Sequence, residues 1–157
     1  MKKLFGLLPR LIGGLLSVLF LNELFKWFIA SCLSINYSGT FFSALLIVIA
    51  PLMFSLIMIE LFSYILKKIE KDFFRINVII YILINIGFLI FNVLLGIFAL
   101  ILKSNYSNDW ARFLVASGYS YNEKLVFMLF VMVILFTYLN YTTKKMKHFI
   151  PIIKNLE

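Results

Sequence analysis

An all-α bundle of four membrane-spanning helices is the fold class this sequence predicts, on three observations. The 157 residues are 63% apolar and only 14% charged, with a mean hydropathy of +1.02, a composition foreign to ordinary water-soluble globules. The apolar residues gather into four runs, and Lys and Arg sit almost wholly between or beyond them. The longest uncharged run, Ile76 to Leu102, has 27 residues. As a helix it is about 40 Å long, more than the roughly 30 Å hydrocarbon core of a bilayer. A single transmembrane domain over 1–157 follows, with spans at about 7–33, 41–66, 76–102 and 122–143.

The chain opens with Lys2, Lys3 and Arg10 around Leu4, Phe5, Leu7 and Leu8, and Pro9 is expected to break or bend a helix there. The same start has the look of a signal peptide, and Ile29, Ala30, Ser31, Cys32 fits a lipobox. Asn22, Glu23 and Lys26 speak against that reading by interrupting the apolar region such a signal needs. Leu11 to Leu21 is too short to cross alone, so two readings of the first span stay open. In one, the helix runs on through Asn22, and Glu23 and Lys26 lie deep in the membrane, three residues apart on one face, each neutralising the other. In the other, the crossing ends near Asn22, and Trp27 and Phe28 mark the outer interface. Gly13, Gly14 and Ser17 permit close helix approach in either case.

The second span, Phe41 to Leu66, carries Pro51 at mid-helix and Glu60 near its end. A charged turn follows, with Lys67, Lys68, Glu70, Lys71, Asp72 and Arg75. In the third span Asn77, Tyr81, Asn85, Asn92 and Gly96 fall within about a third of the helix circumference. Lipid satisfies no amide, so this row is expected to face other helices or an aqueous path. Between the third and fourth spans, Asp109 is placed to cap a short helix that puts Trp110, Phe113 and Leu114 on one side and ends at Gly118. That apolar side is expected to rest in the outer headgroups. The fourth span holds Met128, Met132, Thr137 and Asn140, and a basic tail with Lys144, Lys145, Lys147 and Pro151 follows.

Lys and Arg favour the start, the second loop and the tail over the first and third loops, so both termini are expected to be cytoplasmic. The net charge of +8 is confined to segment ends, which anionic lipid explains and which leaves no basic domain for nucleic acid. One Cys excludes an internal disulfide framework and a Cys-rich metal site. His148 stands alone among lysines, and no P-loop, dinucleotide fingerprint or His-Glu-x-x-His occurs. Neither an enzyme nor a bound cofactor or metal is expected. Arg10 and Glu60, each several residues inside the boundary, either pair with one another or reach water separately.

Two local resemblances add expectations. Leu61, Phe62, Ser63, Tyr64 with Lys67 and Lys68 echoes Leu135, Phe136, Thr137, Tyr138 with Lys144 and Lys145, each string ending a two-span hairpin. The doubled hairpin resembles the GtrA-type proteins, which implies a four-span partner for moving lipid-linked sugars. Two features depart from that pattern: the Tyr-to-Lys spacing differs between the copies, and the first span reads Gly13, Gly14, Leu15 where Gly-Asn-Thr is expected. Ile59 and Glu60 with Lys71, Asp72, Phe73, Phe74 and the later Leu94, Leu95, Gly96 is similar to membrane immunity proteins against pore-forming colicins. That implies a non-enzymatic subunit of a bacterial immunity or phage-defence system in the inner membrane, in keeping with a composition rich in Ile, Asn, Lys and Phe.

The expected mode of action is association, as a homo-oligomer or with a partner protein, because four helices have few ways to cover the third-span row alone. A small channel or carrier is the alternative. The bilayer itself, or an acidic partner protein, is the expected neighbour of Lys67, Lys68, Lys71, Arg75, Lys144, Lys145 and Lys147.

Overall fold

The computed structural model describes residues 2–32, 41–101 and 109–146. They form five helices: α1 (Lys2–Cys32), α2 (Phe41–Leu66), α3 (Asp72–Ile101), α4 (Asp109–Ala116) and α5 (Tyr121–Met146). Among the described residues, four of these are long and apolar enough to cross a membrane: Leu7–Cys32, Phe41–Leu66, Phe73–Ile101 and Tyr121–Lys145. Lys147 and His148 lie outside the described residues.

The first long helix is continuous. α1 runs through Pro9 and through Asn22, Glu23 and Lys26 without a break. In apolar surroundings a backbone that leaves the helix finds no other hydrogen-bond partner, so one missing N–H at Pro9 is tolerated. The same holds at Pro51, which is buried inside an unbroken α2. α3 begins one turn earlier than the uncharged run, at Asp72, because the chain needs only a tight turn over 67–71 to reverse. Its first amides are taken there: Phe74 and Arg75 donate to the Lys71 carbonyl at 3.1 and 3.2 Å. α5 starts on a capping box, in which the Ser120 N–H donates to Glu123 Oε2 at 2.7 Å and the Glu123 N–H donates back to Ser120 Oγ at 3.4 Å.

α2 and α3 form the middle of the bundle. α1 lies against both, α4 against both, and α5 against α3. The buried side of α2 explains its central place: Ser43, Ala44, Ala50, Ser55 and Ser63 keep it thin, so helices on either side approach closely. Two apolar clusters fill the bundle. At one end Ala44, Val48, Val93, Leu100 and Met128 surround Trp110, Phe113 and Leu114 of α4. At the other, Ile59 and Leu66 meet Ile79, Ile82 and Leu89.

α4 spans the eight residues Asp109–Ala116 and closes at Gly118, whose φ of 65° is the left-handed conformation that favours glycine. Its apolar side is not turned out toward headgroups. Trp110, Phe113 and Leu114 are 3%, 0% and 4% exposed, because the thin stretch of α2 around Ala44 and the bare backbone at Gly96 leave room for large rings.

Candidate functional site

Among the described residues, polar side chains join one helix to another at three places. The first joins α1 to α2. The Ser55 hydroxyl donates to Asn22 Oδ1 at 3.2 Å, and Asn22 Nδ2 donates to the Val18 carbonyl at 2.8 Å. Both side chains are buried, at 1% and 0% exposure. Ser55 stands close to the midpoint of α2, so the bond sets Asn22 level with the middle of that helix.

The second place follows from the first. Lys26 is one turn beyond Asn22, about 6 Å along the axis, whereas the Phe41 end of α2 is about 21 Å from Ser55. Glu23 and Lys26 therefore sit deep between the helix ends. The Lys26 ammonium is 2.7 Å from Glu23 Oε2 and 2.9 Å from Asp109 Oδ2, so it ties α1 to the first residue of α4. The Lys26 side chain is 14% exposed, Asp109 30% and Glu23 69%. One cation faces two carboxylates, and Glu23 is the more exposed of the two.

The third place is at the opposite end. Glu60 does not pair with Arg10. Its Oε2 accepts from Lys145 Nζ at 2.5 Å and its Oε1 from the Tyr138 hydroxyl at 3.2 Å, which ties α2 to α5. Arg10 instead lies over the Phe73 ring, 4.5 Å from the centroid. Each cation takes the nearest partner its helix level allows: α1 and α3 run side by side, and α5 brings Lys145 to the level of Glu60.

The third-span row is largely covered by the chain itself. Tyr81 stacks on Phe62 of α2 with centroids 5.4 Å apart. Asn85 is 1% exposed, and its Nδ2 donates to the Tyr81 carbonyl at 2.9 Å. Asn92 turns back onto the Phe88 carbonyl at 3.3 Å, and Asn77 is half-buried. Gly96 lines no path: an added Cβ there would meet Met128 and the Trp110 ring. Of the basic rim, Lys67, Lys68, Lys71 and Lys144 are exposed, and Arg75 and Lys145 are half-buried.

Sequence reasoning marks Asn22 only as an interruption and does not reach Ser55, Asp109 as an ion partner, or Lys145 as the partner of Glu60. Ser55 and Ser63, two small residues eight apart with Ile59 midway, are a local signal for that buried face. No protein-family model, curated protein or solved structure matches the chain.

Proposed function

We propose that this chain is a non-enzymatic, multi-pass subunit of a bacterial cytoplasmic membrane that acts by lateral association, through the exposed face of α1. The observation that carries the reading is Glu23. Its carboxylate is 69% exposed on a membrane-capable helix, at a level near the middle of the bundle, and Lys26 is shared with Asp109. A charge at that depth facing acyl chains costs roughly 2.5 to 3.5 kcal/mol even on the most lenient scales. A facing helix that offers a cation or hydrogen-bond donors, from another copy or from a partner protein, removes that cost. An immunity or defence role fits such a subunit, and the distribution of Lys and Arg supports cytoplasmic termini.

Conduction, including carriage of a lipid-linked sugar, is the second reading, and Asn85 is the observation on its side. Its Oδ1 is buried without a hydrogen-bond partner among the described residues, a place for a water or a passing polar group. Replacing Asn85 with Leu separates the two readings. Under association the particle keeps its mass and the cell its phenotype; under conduction the mass is unchanged and flux into proteoliposomes is lost.

A further inference from the structure

α4 packs on α2 and α3 while α5 leans on α3, and a wedge is left open between α4 and α5. The cleft has a volume of about 310 Å³, at the lower end of the roughly 300–1,000 Å³ typical of small-molecule sites. Leu100 and Ala99, from the last turns of α3, form its back, and Leu114 and Val115 of α4 form one wall. Tyr121 and Lys124, from the first turn of α5, supply the polar groups. An ending span and a beginning one meet here, so the cleft lies where hydrocarbon gives way to headgroups, the level that suits Tyr and a reaching Lys.

We propose that this cleft binds an anionic phospholipid of the surrounding bilayer, with an acyl chain against Leu100, Leu114 and Val115 and the phosphate on Lys124. The apolar wall alone selects nothing, because lipid tails are as apolar as leucine. Selection comes from Lys124, whose ammonium has no ion pair with any described residue. A zwitterionic headgroup brings its own cation to compete for the phosphate, and an anionic one does not. The site is independent of the association reading: it lies between α4 and α5, and the Glu23 face lies on α1.

The test uses the full chain in bilayers doped with an acyl-photoreactive phosphatidylglycerol or its phosphatidylcholine counterpart, with labelled peptides mapped. Labelling of residues 109–124 should favour phosphatidylglycerol about five-fold, the weight of one basic residue near an anionic headgroup. Lys124→Gln should bring the two lipids to parity. Ala99→Phe, which fills the back of the cleft, should abolish the labelling with Lys124 in place. Arg112→Gln, an exposed cation outside the cleft lining, should change nothing. Equal labelling by both lipids in the wild type overturns the proposal, as does a preference that survives Lys124→Gln. Absence of label at 109–124 with both lipids would overturn it too.

Discussion

Gly14 and Gly96 are both buried glycines on facing helices, yet the atoms around them make them unequal. A Cβ at Gly14 would lie 2.7 Å from Ile84 Cδ1, the tip of a flexible side chain that swings aside. A Cβ at Gly96 would lie 2.6 Å from Met128 Cε and 2.9 Å from Trp110 Cδ2. Methionine yields, but the indole is rigid and buried on every side. Gly96→Ala should therefore cost about 1–3 kcal/mol, the usual toll of overpacking, and Gly14→Ala well under that. Thermal unfolding in one detergent checks the ordering, and equal losses would contradict it. The periodicity of the third span puts Gly96 on the same side as the asparagines and says nothing of a tryptophan arriving from 14 residues further on.

Among the elements, α4 shows most clearly what local pattern conveys and what it leaves out. Asp109 and Gly118 mark its two ends in the sequence, and its apolar side is legible from Trp110, Phe113 and Leu114. Where that side packs is not legible, because the bond that fixes it joins residues 83 apart. The pairing of Lys145 with Glu60 spans 85, and it too escapes any helical repeat. By contrast α2 was open to reading end to end, since one uninterrupted apolar run defines it. The asymmetry of the charged cluster yields a prediction. Asp109→Asn leaves Lys26 with Glu23, so α4 loses one tie but no charge is stranded. Lys26→Met leaves two carboxylates without their cation, the more costly change. Amide exchange across 110–116 should accelerate in both variants and more in Lys26→Met; unchanged exchange in both would mean that packing of Trp110 and Phe113 alone holds α4.

At the scale of the whole molecule, the bundle accounts for most of its own polar groups. Asn22 has Ser55, Glu60 has Lys145 and Tyr138, and Asn85 Nδ2 has the Tyr81 carbonyl. Coverage of the third-span row, the first reason for expecting association, is thus supplied internally, by Phe62 of α2 at Tyr81 and by Trp110 of α4 and Met128 of α5 at Gly96. The reason moves to α1, where the Glu23 carboxylate is 69% exposed on a membrane-capable helix. Composition makes the four spans plain, whereas the charged cluster around Lys26 depends on three residues from two helices. The most direct measurement is the mass of the particle drawn from its native membrane in mild detergent, for the wild type and for Glu23→Leu. Lateral association through Glu23 gives a wild-type particle heavier than one chain and a Glu23→Leu particle of one chain, with Lys26 and Asp109 still paired and the fold retained. A wild-type particle of a single chain, or a Glu23→Leu particle as heavy as the wild type, would contradict it.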